Sequence, residues 1–192
     1  MAMSVDTTAP AAMAEPDDRA LAARAREGER AAFAMLVERH YDFIHRVAWK
    51  WSRDRSAAED IAQGVCMRLG SAIRSWRGEG AFTTWLYRLT INAAHDHARA
   101  QARERRKAEA WGTHTMALGE AEEDDDDTGA RLWEAVQTLP DKQRDAVLLV
   151  FGEGLGHAEA AAVMDCAEGT VSYHVHEAKK RLKRILRKAG ED

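Results

Sequence analysis

His95, Asp96 and His97 are the densest run of side chains able to hold a metal or move a proton, and His174 with His176 forms a second cluster. Both runs lie in stretches of helical periodicity, where positions i and i+2 point to different faces. Neither makes a metal-ligand spacing or an acid–base pair. Cys66 and Cys166 are too far apart in sequence to read as a disulfide framework or a metal clip, so they read as buried or half-buried thiols. No glycine-rich phosphate loop and no nucleophile motif is found. The expectation is a chain that is not an enzyme and that uses no metal and no cofactor.

The chemistry that remains is contact with a polyanion. Arg88, Asn92, His95, Arg99, Arg103 and Arg106 recur at steps of three and four, which places them on one face of a helix. The opposite stripe is apolar: Phe82, Trp85, Leu86, Leu89 and Ala93. Trp85 and Leu86 are expected in the core, and truncating Trp85 is expected to unfold this part of the chain. Just before this helix, the loop Ser75-Trp-Arg-Gly-Glu-Gly-Ala-Phe82 offers Trp76 and Arg77. Arginine suits phosphates and an aromatic ring suits a base, so loop and helix together fit a nucleic-acid surface.

A second such surface lies near the C-terminus. His157 to Met164, the turn Asp165-Cys-Ala and a long helix from about Glu168 have the spacing of a helix-turn-helix. Val171, Val175, Ala178, Leu182 and Ile185 would face the core, leaving Thr170, Ser172, Tyr173, His174 and Glu177 outward near the start of the second helix. The run Glu177 to Lys188 that follows holds seven bases, Lys180 and Arg181 among them, and one acid. A third surface is smooth rather than charged. Asp60, Gln63, Met67 and Arg74 line up with Gly64, Gly70 and Ser71 on the outer face of a helix whose inner stripe is Ala58, Ile61, Val65, Leu69, Ala72 and Trp76. Glycine costs about 1 kcal/mol in a helix, so its repetition there suggests that another helix lies against this face.

The elements that carry these faces follow from composition. The chain has 192 residues, 45% of them apolar and 31% charged, with only 3 Pro and 13 Gly, which favours long helices over sheets. No stretch approaches the roughly 18 apolar residues of a membrane span, so a cytoplasmic protein without membrane insertion is expected. The net charge of −4 conceals an uneven distribution. Residues 31–111 carry 14 basic and 9 acidic side chains, residues 112–130 carry none and 7, and residues 131–192 carry 10 and 10. The expected organisation is therefore an all-α chain of two small helical domains, 17–111 and 131–192, joined by a flexible acidic linker, 112–130, with a loose tail over 1–16. The helices expected in the first domain run from Asp17 or Asp18 to Glu27, from about Glu29 to Trp51, from Asp54 or Ser56 to Trp76, and from Ala81 or Phe82 to about Lys107. In the second they run over Leu132–Thr138, Asp141–Phe151, His157–Met164 and from about Glu168 onward.

The two halves together resemble the extracytoplasmic-function sigma factors of bacterial RNA polymerase. The first half resembles the family's second conserved region in Ala58-Glu-Asp-Ile-Ala-Gln63, Phe82-Thr-Thr-Trp-Leu-Tyr-Arg-Leu89 and Asn92. The second resembles its fourth region in Leu139-Pro-Asp-Lys-Gln-Arg144, Val147-Leu-Leu149, Gly154-Leu155 and Gly169-Thr-Val171. The resemblance implies a sigma factor that binds core RNA polymerase and directs promoter-specific transcription in a stress or signal response, under an anti-sigma factor. It implies core-polymerase binding by Asp60, Gln63, Met67 and Arg74. Minus-ten contacts would come from Trp76, Arg77, Arg88, Asn92, His95, Arg99 and Arg103, and minus-thirty-five contacts from Thr170, Ser172, Tyr173, His174, Glu177, Lys180 and Arg181. Some positions depart from the family pattern: Gly64 stands where Glu is usual, Gly70 where Trp is frequent, Asp165 where the turn has Gly, and Ser172, His174 and Glu177 where bases are common. Those departures keep two other readings open, a sigma mimic that sequesters an anti-sigma factor and a stand-alone helix-turn-helix regulator.

Overall fold

The computed structural model describes residues 16–110 and 127–188, and the described residues form helices and connecting turns with no strand among them. Helix α1 (Asp18–Arg26) begins where the Asp17 carboxylate accepts from the Ala20 N–H at 2.7 Å. α2 (Arg30–Ser52) stops at Arg53, whose backbone turns left-handed at φ 52°. Asp54 then opens α3 (Arg55–Ala72) by accepting from the Ala57 N–H at 2.7 Å, the side-chain cap expected for a short carboxylate at this position. A 3-10 turn, Ile73–Ser75, and a short loop lead into the long α4 (Phe82–Ala110).

The second half starts with α5 (Asp127–Gln137), so residues 127–130 are helical rather than part of the expected linker. Residues 1–15 of the expected tail and 111–126 of the expected linker region lie outside the described residues. α6 (Asp141–Val147) widens into a π-helical turn at Leu148–Gly152, which replaces the single helix expected as far as Phe151. α7 (His157–Met164) and α8 (Glu168–Lys188) follow with the expected boundaries. Glu159 reaches back to accept from the Gly156 N–H at 2.8 Å and fixes the start of α7. Asp165 ends that helix in the left-handed region, φ 55° and ψ 50°, in the place where the family turn has Gly. Asp is among the few side chains that tolerate this conformation, so the turn keeps its shape.

The stripes read from sequence face inward, most of their members buried, with Ala72, Trp85, Leu89, Leu182 and Ile185 half-buried. α2 packs on α1, α3 and α4, and Leu21, Leu36, Ile44, Val65, Leu69 and Leu86 are fully buried between them. In the second half α8 packs on α5, α6 and α7, around Leu148, Leu149, Val171 and Ala178. The two cores are continuous: α4 meets α7, α2 meets the π-helical turn, and the buried residues of both halves form one apolar cluster.

The aromatic residues at the start of α4 depart from expectation. Trp85, expected in the core, is only half-buried, whereas Trp76, expected both at the end of the inner stripe of the third helix and on a DNA surface, is 4% exposed and takes the first of these places. The Phe82 ring takes the inner position in the first turn of α4, and Trp76 closes over it edge-on, with ring centroids 5.4 Å apart at 88°. Trp85 packs on the outer side of the same ring at 5.4 Å. Trp76→Ala is therefore expected to cost about 3–5 kcal/mol, and Trp85→Ala clearly less. Urea denaturation followed by far-UV circular dichroism measures both, and equal losses would contradict the burial order.

Candidate nucleic-acid interface

Three surfaces were expected, and the structure treats them differently. On α3 and the 3-10 turn that follows it, Asp60, Gln63, Met67 and Arg74 are all exposed, Met67 at 83% despite its apolar side chain. A Cβ at Gly64 would come 3.6 Å from the Arg68 guanidinium, and one at Gly70 would come 3.6 Å from Phe33, both ordinary contacts. Neither glycine is needed for packing inside the chain, and neither has a positive φ. The expense of glycine in this helix thus has no internal explanation, and the face fits a surface shaped for an external partner.

On α8, Thr170, Ser172 and Tyr173 are exposed at the N-terminal end, with Tyr173 61% exposed. Ser172 is tied locally: its hydroxyl donates to the Glu168 carbonyl at 3.2 Å and lies 2.8 Å from His157 Nδ1, across the turn. His174 and Glu177 are half-buried, and His174 Nδ1 has no hydrogen-bond partner. Lys180 and Arg181 are exposed on the next turn. The exposed Thr170, Ser172 and Tyr173 thus lie at the start of the second helix of a helix-turn-helix, with the exposed bases Lys180 and Arg181 behind them.

The α4 face divides. Arg77, Asn92, Arg99 and Arg103 are exposed, and Arg99 donates to its neighbour Asp96 at 2.8 Å. Trp76 is withdrawn into the core, as described above. Arg88 and His95 turn toward the second half of the chain. The Arg88 guanidinium donates to the carbonyls of Ala162 at 2.7 Å and Val163 at 3.2 Å, and lies 3.4 Å from Asp165. It thereby satisfies the C-terminal carbonyls of α7 with a positive charge, the sign that end of a helix prefers. His95 Nε2 lies 3.0 Å from Asp145 Oδ1, which also accepts from Trp51 Nε1–H at 2.8 Å. Arg88, Asn92 and His95 line a cavity of about 230 Å³ between the halves, together with Lys142, Asp145 and Asp165.

Sequence reasoning missed the other side of this contact. Asp145 is 3% exposed, and three and four residues further on come the buried Leu148 and Leu149, so a carboxylate on the inner face of α6 was the available signal. Glu153, between two glycines, carried no periodic signal. Its side chain is 3% exposed, with Lys50 Nζ at 2.6 Å, Arg46 Nη2 at 3.3 Å and the Tyr87 hydroxyl donating to it at 2.7 Å. Burial by itself would raise the Glu153 pKa, but the hydrogen bonds from Lys50 and Tyr87 and the charges of Lys50 and Arg46 prevail and hold it below the ordinary range. Burial, reinforced by the Glu153 charge, pushes the Tyr87 phenol far above its usual value. Arg53 adds a further bridge, stacking over Trp49 of α2 at 5.0 Å and Trp133 of α5 at 4.7 Å. Cys66 and Cys166 are free and half-buried, and burial pushes the Cys66 thiol up.

An all-α chain in which a helical half is packed against a helix-turn-helix half is the class that this geometry defines. The sigma-70 region 2 family model matches residues 36–104, and the sigma-70 region 4 model matches residues 129–182. The RNA polymerase sigma-H factor of Pseudomonas aeruginosa is 30% identical over 91% of this chain and 96% of its own length. The ECF RNA polymerase sigma factor SigM of Mycobacterium tuberculosis is 32% identical over 90% of this chain and 86% of its own. The chain belongs to the extracytoplasmic-function sigma factors. Among solved structures, CnrH in complex with the cytosolic domain of CnrY shares the fold at a TM-score of 0.63 and 24% identity, over 88% of this chain and 97% of that one. RpoE from Bartonella quintana, crystallised with the anti-sigma factor NepR, does so at 0.60 and 24%, over 81% and 96%. No helix among the described residues is long and apolar enough to cross a membrane.

The ionisation of Glu153 has a consequence for stability. A carboxyl held below its unfolded value, about 4.3, stabilises the fold above that pH, and the contribution is lost as the pH falls through the folded value. The urea midpoint of the wild-type chain should therefore fall between pH 6 and pH 3 by more than that of Glu153→Gln. Parallel pH profiles for the two proteins would refute this role of the carboxylate.

Proposed function

We propose that this chain is a promoter-specificity subunit that binds core RNA polymerase through the α3 face and reads promoter DNA with both halves. The observation that carries the reading is the coincidence of family regions with exposed side chains. Asp60, Gln63, Met67 and Arg74 are all free of the core on the region 2 match, and Thr170, Ser172 and Tyr173 are all exposed at the tip of α8 on the region 4 match. In this reading Arg77, Arg88, Asn92, His95, Arg99 and Arg103 engage the minus-ten element. Thr170, Ser172, Tyr173, His174 and Glu177 face the minus-thirty-five major groove, with Lys180 and Arg181 on phosphates. Ser172 and His174 supply less fixed positive charge than the bases common at these positions, so phosphate contacts are fewer and the salt dependence of binding is shallower.

The same reading includes an anti-sigma factor as regulator in a stress or signal response. Its support is that RpoE of Bartonella quintana, which shares the fold, was crystallised with an anti-sigma factor. Burial holds the Cys66 thiol above its ordinary range, which supports placing the sensing in that partner. Cys66→Ser combined with Cys166→Ala is expected to leave the cellular response to oxidants unchanged. An abolished response at normal protein level would place the sensor in this chain.

Transcription from a library of promoters of the source genome, with purified chain and core polymerase, tests the reading. Specific transcripts are expected, and their absence at every promoter would overturn it. Asp60→Ala and Gln63→Ala should each weaken core binding while helicity stays native, because both side chains are exposed and opposite the buried Ile61 and Val65. Unchanged affinity in both variants would remove α3 from the polymerase interface.

A further inference from the structure

We propose that the exposed face of α1 is a further phosphate-binding surface, which holds the single strand of promoter DNA where it continues downstream past the minus-ten loop. It builds on the function proposed above, but α1 lies ahead of the region 2 match, which begins at residue 36. Arg19, Ala23 and Arg26 recur at steps of four and three, so they share one face of α1, with the two arginine Cα atoms about 10 Å apart along the axis. All three are exposed, while Leu21 and Ala22 between them are buried. α1 packs on the 3-10 turn Ile73–Ser75, which brings a second pair of arginines, Arg74 and Arg77, to the same side. Arg26 and Arg74 line a groove of about 460 Å³ with Ala23 and Glu27. At the loop end, Gly78 has φ 76°, and a Cβ there would come 3.7 Å from the Arg19 guanidinium. The loop backbone thus runs directly beside α1.

These arginines are uncommitted. Among the described residues none of Arg19, Arg26, Arg74 and Arg77 forms an ion pair, whereas Arg24 is paired with Glu29 and Arg39 with Asp18. Glu27 lines the groove and Glu79 is exposed in the loop, so two carboxylates stand against four guanidinium groups. Exposed guanidinium groups with only alanine between them suit phosphates, which the planar fork meets with two parallel hydrogen bonds. A protein partner would need an apolar or aromatic anchor, and no large apolar side chain of α1 is exposed. Continuity selects the strand. α4 leads from the loop to α7, and so to the half that takes the upstream element. That leaves the place where Gly78 meets Arg19 for the downstream strand, and contacts to its phosphates hold it whatever its bases.

Arg74 borders both this groove and the polymerase face, so the test uses Arg19, Arg26 and Glu27, which belong to none of the surfaces proposed above. Holoenzyme reconstituted from the full chain and core polymerase is bound to two fork-junction probes made from a promoter active in the transcription assay. Both carry the duplex and the single-stranded minus-ten element; one ends there, and in the other the same strand continues downstream. Arg19→Ala and Arg26→Ala should each bind the extended probe several-fold more weakly than wild type does, and the short probe equally well. Glu27→Gln, which removes the carboxylate of the groove, should bind the extended probe more tightly. Combining the two alanine substitutions should flatten the slope of log affinity against log salt on the extended probe by about 1.4, the value for two phosphates of a single strand. Replacing the bases of the extension should change none of these differences. The three positions are exposed, and circular dichroism establishes that helicity is retained. Equal weakening on both probes, or unchanged affinity for the extended probe in both single variants, would overturn this surface while leaving the sigma-factor reading intact. So would weakened binding to core polymerase alone, which would assign the groove to an acidic protein surface. Wild-type holoenzyme that binds neither probe would instead overturn the sigma-factor reading, and the α1 surface with it.

Discussion

Two acidic side chains of the second half, Asp145 and Glu153, are buried against donors of the first, and the way one half sits on the other depends on that constraint. A carboxylate cannot stay dry without hydrogen-bond donors, and the donors nearest in sequence are not the ones used. Trp51, His95, Lys50, Arg46 and Tyr87 come from α2 and α4, so satisfying two charges fixes the orientation of one half on the other. The apolar contact between α4 and α7 then follows, and with it the position of Arg88 at the end of α7.

This arrangement gives the three surfaces unequal freedom. The α3 face is outside the contact, and its glycines answer no packing need within the chain. The tip of α8 is also outside, displayed by a turn that Asp165 completes in the left-handed conformation. The α4 face alone is divided, part on the surface and part enclosed. The exposed part keeps Asn92, Arg99 and Arg103 on the surface, and the enclosed part turns Arg88 and His95 to groups of the second half.

The Arg88 guanidinium meets two carbonyls at the C-terminal end of α7, and the carbonyl end of a helix carries partial negative charge. Tyr87, one residue earlier, points to the other carboxylate, so adjacent positions of α4 serve the two ends of one interface.

The sequence by itself determined the helices, their inner stripes and the family. Period-3.6 patterning, the capping carboxylates Asp17 and Asp54 and the glycine breaks are local signals, and the buried Leu36, Ile61, Val65, Leu86 and Val171 lie where the pattern put them. It also separated the exposed Asp60, Gln63, Met67, Thr170, Ser172 and Tyr173 from the side chains beneath them, though not His174 and Glu177, which are half-buried. Only the tertiary structure decided which aromatic became core. Trp76, before Phe82, and Trp85, after it, both pack on its ring, but the loop folds Trp76 inward and leaves Trp85 at the edge. It also decided that a stripe of arginine, asparagine and histidine would divide, because the partners of Arg88 and His95 lie fifty or more positions away on another helix pair. A periodic pattern reports which face of a helix is polar. Whether that face meets water, DNA or the chain itself depends on groups brought near it only by folding.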